Sequence, residues 1–152
     1  MRIIALDCGT KRIGIAFADT NVRIAIPRGM IAAGEDGIKK ILDAYRLEKA
    51  DLIVVGLPRN NQGEETAQSK LVRQFVVSLK RAFKYYENFE PIIKFQDESL
   101  TSVEAEKRFG KEVSRTERDM GKVDAEAAAI ILQDFLEAID LNRLKEEINE
   151  SK

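Results

Sequence analysis

The sequence predicts a single α/β domain built on a mixed β-sheet, with elements in the order βββαβαβ followed by helices. Three observations lead there. The chain has 152 residues, and a globule of that size buries roughly 68 to 70% of its unfolded surface around one core. Its apolar spacing changes from short alternating or continuous runs to helical three- and four-residue spacing and back. Gly and Pro punctuate those changes.

Residues 2 to 8 alternate and end at Gly9-Thr10-Lys11-Arg12, after which Ile13 to Ala18 reads as a second strand, so the two form a hairpin. Val22 to Ile31 is rich in β-branched residues but interrupted by Pro27, which fits a third strand that is short, bulged or at an edge. Ile38, Ile41, Leu42 and Tyr45 recur at helical spacing, and the apolar run Leu52 to Val55 that follows suits a strand buried on both faces. Leu71, Phe75, Val76, Leu79 and Phe83 mark a second helix, and Pro91 to Phe95 a fifth strand. Thr101 with Glu104 fits a capping box for a short helix through Phe109, and Val123 to Ile139 is an Ala-rich final helix. Between them Gly110 to Gly121 reads as a basic connector. Residues 1–141 are expected to form the domain and residues 142–152 a polar tail that frays.

Composition narrows the chemistry. There is no His and a single Cys, Cys8, which excludes Ser-His-Asp and Cys-His catalysis, His- or Cys-based zinc sites and internal disulfides. Lys and Arg number 25 against 26 Asp and Glu, yet the neutral total hides a dipolar chain. From Lys107 to Lys122 six basic residues face three acidic ones, whereas from Asp134 to Lys152 six acidic residues face three basic ones. The N-terminal apolar run reaches Asp7 too soon for a signal-peptide core or a membrane span, so a cytoplasmic protein without membrane contact is expected.

Four carboxylates stand out. Asp7 shares a strand face with Ile3 and Ala5, directing its charge toward a half-buried position. Asp97 and Glu98 follow the fifth strand, and alternation puts at most one of them on the Asp7 side. Asp124 is expected in the first turn of the last helix, where the macrodipole favours an anion. If strands one, four and five are neighbours, acidic groups converge from two strand ends and one helix. Such a cluster needs a cation, and its all-oxygen donors suit Mg²⁺ or Mn²⁺.

The segments Ala5 to Ala16, Val55-Gly56-Leu57-Pro58, Asp97 to Ser102 and Lys122-Val123-Asp124 to Gln133 resemble the YqgF/RuvX family, bacterial ribonuclease H-like proteins described as Holliday junction resolvases or pre-16S rRNA nucleases. The resemblance spans residues 2 to 138. It implies a ribonuclease H-like fold: a five-stranded mixed sheet, three antiparallel strands then two parallel, flanked by helices. It also implies an acidic active site at Asp7, Glu98 or Asp97, and Asp124, with Asp7, Glu98 and Asp124 as metal ligands. Ser99 stands where the family pattern has an Arg, and the loop after Pro58 departs from that pattern as well. Arg59 replaces some of the lost positive charge there.

The function expected is metal-dependent hydrolysis of a phosphodiester in structured nucleic acid, with two divalent ions activating water and stabilising the leaving oxygen. Maturation of the 5′ end of pre-16S rRNA is the leading reading, with a pre-ribosomal particle as a partner. Lys11, Arg12, Arg59, Asn60, Arg115, Arg118 and Lys122 are the candidate nucleic-acid contacts. Resolution of branched DNA and non-catalytic RNA binding during ribosome assembly are alternatives. The first favours a homodimer, whereas trimming an RNA end needs only a monomer. Asp-x-Gly-Thr on a leading hairpin also resembles the phosphate turn of actin-like ATPases, but those need two such domains and this chain is too short.

Overall fold

The computed structural model describes residues 1–98 and 117–152, with the side chains of 117–120 left aside. Five strands, β1 (Arg2–Cys8), β2 (Arg12–Asp19), β3 (Ile26–Ala32), β4 (Leu52–Pro58) and β5 (Ile93–Glu98), form one sheet in the order β3-β2-β1-β4-β5. β1 pairs antiparallel with β2, and β2 with β3, while β4 runs parallel to both β1 and β5. The predicted hairpin closes through the Gly9 amide, which donates to the Arg12 carbonyl at 2.9 Å. β3 lies at the edge and is bulged: Ile15 pairs with Gly29 but Ala16 with Pro27, which leaves Arg28 as the extra residue.

Helices cover both faces. On one side α1 (Glu35–Leu47) and α2 (Ala67–Glu87) bring Ile41, Leu42, Val72, Val76, Leu79 and Phe83 against Ile4, Leu6, Ile13, Ile53, Val55 and Leu57. α2 starts at a capping box in which Thr66 and Ser69 satisfy each other's backbone amides. On the other side α3 (Glu117–Ala138) lays Ala128, Ile131, Leu132 and Phe135 over Ile3, Ala5, Ala16, Ala18, Leu52 and Val54. β1 and β4 are thus sandwiched, which is why their sequences read as nearly continuous apolar runs.

Three expectations change. α3 is already helical at Glu117, ahead of Val123, so part of the expected connector is helical; Gly121, read as its boundary, lies inside the helix against Met30. Asp124 is therefore two turns into the helix, beyond reach of the macrodipole effect expected for it. β5 continues past Phe95 to Glu98 because β4 offers partners as far as Pro58, and pairing outweighs the weak strand propensity of Gln96, Asp97 and Glu98. Finally, the stretch expected to fray forms α4 (Leu141–Glu150), capped by the Asp140 side chain. Leu144 and Ile148, four residues apart, are buried in the α3-side core. Two apolar anchors on one stripe suffice to dock an otherwise polar helix. The helix expected over 101–109 lies outside the described residues.

Because Leu144 is 1% exposed, Leu144→Ala should cost about 2 to 5 kcal/mol, read as a lower urea midpoint. A frayed tail would show no such loss.

Candidate active site

The parallel pairing sets β1, β4 and β5 side by side with their C-terminal ends at the same edge. Ile3, Ala5 and Asp7 occupy the α3 face of β1; Leu52, Val54 and Gly56 continue it on β4, and Lys94, Gln96 and Glu98 on β5. Alternation alone therefore carries Asp7 and Glu98 to one place and turns Asp97 away. The two carboxyl groups share a hydrogen bond. Asp97 faces outward, with 68% of its side chain exposed, and accepts from the Arg59 guanidinium at 3.0 Å.

Two glycines make the convergence possible. A Cβ on Gly14, which is opposite Asp7 in the hairpin, would lie 2.0 Å from the Asp124 carbonyl oxygen, so only Gly lets α3 rest there with Asp124 above the strand. A Cβ on Gly56 would come within 2.5 Å of Ile131 and 3.0 Å of the Glu98 carboxyl carbon; the missing side chain is the space that Glu98 occupies. Sequence reasoning passed over both as site residues. An isolated Gly within an apolar strand was the available sign of close approach.

Asp124 comes near enough to raise the pKa of Asp7, but its own carboxylate is held by Arg12, whose Nε donates to Oδ2 at 2.6 Å. Arg12, expected on substrate phosphates, thus neutralises the third acid. Among the described residues no three acids stand close enough to form a complete metal cage. Arg59 is shared between Asp97 and Glu65. The Asn60 side-chain oxygen accepts from the Gln62 and Glu64 amides and shapes the loop after β4. Lys11 and Lys122 are exposed; Arg115 and the Arg118 side chain lie outside the described residues. Cys8 points to the opposite face. Its thiol is buried and pushed well above its usual pKa by desolvation and by the Asp7 and Glu98 charges, which leaves it a poor nucleophile.

Burial raises both acids. Asp7 is pushed up to about 6, chiefly by desolvation, against the lowering effect of the Glu98 hydrogen bond. Glu98 rises to about 9, through desolvation first and then the Asp7 charge. At neutral pH Glu98 is accordingly the proton donor to an Asp7 carboxylate. The all-oxygen donor set of this acid pair fits a hard divalent cation, which would replace the shared proton.

A mixed sheet in this order, with half-buried acids at the carboxyl ends of its central strand β1 and its edge strand β5, defines the ribonuclease H-like class. The yeast mitochondrial Holliday junction resolvase has this fold: its structure superposes with a TM-score of 0.51 at 15% identity, over 98% of this chain and 82% of that one. The model of the RuvX family, described as Holliday junction resolvase, matches residues 1–138, and the chain belongs to that family. A protein named "Putative pre-16S rRNA nuclease" from Roseiflexus sp. (strain RS-1) is 37% identical over 139 residues, covering 90% of this chain and 94% of that one. A protein of the same name from Thermus thermophilus is 34% identical, over 90% of this chain and 97% of that one.

The two acids bind protons more tightly in the folded chain than at their ordinary values of 3.8 and 4.5. Their stabilising contribution is complete below that range and is lost as pH rises through about 6 and then about 9. In chelator, the melting temperature should therefore fall between pH 5 and pH 9, and Glu98→Gln should flatten the upper part of that fall. An equally steep decline in the variant would place its origin elsewhere.

Proposed function

We propose that the chain is a metal-dependent nuclease that hydrolyses phosphodiesters in structured nucleic acid, with the 5′ end of pre-16S rRNA as its natural substrate. The observation that carries this is the hydrogen-bonded Asp7 and Glu98 pair, half-buried at the open edge of the sheet. Family membership and the pre-16S rRNA nuclease name of its relatives support it. Bound Mg²⁺ or Mn²⁺, as one ion or two, held by Asp7 and Glu98 and completed by Asp124, would supply an activated water and offset charge on the phosphate.

The chain's own groups define the rest. No His exists and the Cys8 thiol is turned away; in this reading the attacking group is water, which the acid pair and its cation would activate. Glu98 holds a proton on the side of Asp7, and would release it on binding a divalent cation. Arg12 holds Asp124 at the edge of the pair. Lys11, Arg59, Lys122, Arg115 and Arg118 position the phosphate backbone, and Asn60 fixes the loop that presents Arg59. We place the protein in the cytoplasm, where such a substrate occurs; no described helix is long and apolar enough to cross a membrane.

Asp7→Asn and Glu98→Gln should each abolish Mn²⁺-dependent cleavage while the protein stays folded. Asp97→Asn should keep most activity and cost at most about 1 kcal/mol, since it loses only an exposed ion pair. Retained cleavage in Asp7→Asn would overturn the assignment. Matched RNA and DNA substrates, including a four-way junction, distinguish the ribosomal reading from resolution of branched DNA.

The cations are tested separately. Neutralising Arg115, Arg118 and Lys122 should lower the slope of log affinity against log salt by about 0.7 to 0.9 for each lost phosphate contact. An unchanged slope would show that they are solvated surface.

A further inference from the structure

α2 carries a stripe at the margin of the core, where Phe75 and Ala82 pack only partly against it and Leu71 and Tyr86 stay exposed. Gln68, Leu71, Phe75, Ser78, Ala82 and Tyr86 follow one another at three- and four-residue spacing, which aligns them on one side of the helix over about 27 Å. Two open cavities lie along that stripe. The first, about 260 Å³, is bounded by Cys8, Gly9 and Thr10 at the β1–β2 turn and by Leu71, Val72 and Phe75 of α2. The second, about 360 Å³, is formed by Ile38 and Lys39 of α1 with Ser78, Arg81 and Tyr86 of α2, and has Glu35 at its edge.

The first cavity starts one residue beyond Asp7, at the same edge of the sheet. It has an apolar wall with an aromatic ring and polar margins: Thr10 is exposed, and the Gln68 side-chain nitrogen donates to the Cys8 carbonyl at 3.3 Å. Leu71 and Tyr86 are half exposed, at 49% and 55%. A nucleobase has the matching chemistry, a flat apolar face and a hydrogen-bonding rim.

Charge favours the same occupant. α2 contains Lys70, Arg73, Lys80, Arg81 and Lys84 against one acid, Glu87. Lys11 at the turn and Lys39 and Arg81 at the second cavity form no ion pair with any carboxylate among the described residues. Glu35 is the single opposing charge at the second cavity. Aromatic and apolar surface interleaved with such cations is how a single strand is held without regard to sequence.

We propose that this groove holds a single-stranded polynucleotide segment adjoining the phosphate at the acid pair, with one base against Phe75 and the backbone along Lys39 and Arg81. The placement rests on the nuclease reading, and it makes single-stranded character beside the cut the feature the protein selects.

The test uses the full chain in chelator, with anisotropy of labelled single-stranded RNA, single-stranded DNA of the same sequence and a blunt RNA duplex. Leu71→Glu, at a half-exposed position, and Arg81→Glu should each weaken single-strand binding about tenfold and change duplex binding less than about twofold, with melting temperatures near wild type. Phe75→Leu keeps apolar volume and should lose the cross-link that a 4-thiouridine-bearing RNA forms to the Phe75 peptide. Unchanged single-strand binding in Leu71→Glu and Arg81→Glu, equal losses on the duplex, or a cross-link mapping elsewhere would overturn the groove. Cleavage with Mn²⁺ separates the two ideas. A wild type that cuts while the groove variants bind normally overturns only the groove. Groove-dependent binding without cutting overturns the nuclease reading and leaves the groove standing.

Discussion

Everything at the functional edge depends on two carboxyl groups being half-buried within hydrogen-bond reach of each other. Taking Asp7 and Glu98 out of water beside one another is unfavourable for either as an anion, and the fold accommodates it by leaving a proton between them. That arrangement requires parallel strands ending in register, a helix that can descend onto the sheet, and side-chain space where β4 passes between them. Gly14 and Gly56 supply the last two. The apolar layers under α1 and α2 and under α3 supply the rigidity that holds the acids in place against the cost of withdrawing them from water.

Positive charge is distributed around this edge in two ways. Arg12 and Arg59 pair with acids of the protein itself, Asp124 and the exposed Asp97 respectively. Lys11, Lys39 and Arg81 pair with no carboxylate among the described residues, and they lie toward the opposite face, where the cavities along α2 open. The edge of the sheet thus separates an acidic side beneath α3 from a cationic, aromatic side along α2. A polyanion crossing that edge meets attraction on one side and bond-breaking chemistry on the other, which agrees with the nuclease family to which the chain belongs.

Much of this was legible in the residues. The order of elements along the chain followed from run length and punctuation, because alternation and continuous apolar runs report one-sided and two-sided burial. The placement of Asp7 on the Ile3 and Ala5 face was equally readable, and so was the separation of Asp97 from Glu98. The early start of α3 and the helix after Asp140 were not. Gly121 looks like a breaker until Met30 is seen beside it, and a polar segment looks unstructured until Leu144 and Ile148 find a core to enter.

By itself the sequence determined the element order, the faces of the strands and the available chemistry: carboxylates, cations, no imidazole and one thiol. Those are properties of neighbours in the chain, set by backbone periodicity and composition. Tertiary structure decided which distant groups meet. Glu98 joins Asp7 because β4 extends the ladder of β5 to Pro58. Asp124 is bound to Arg12 because Gly14 admits α3 to the sheet, bringing together residues 112 apart in the chain. Pairings of that kind depend on register and close approach between elements, and no local pattern encodes them.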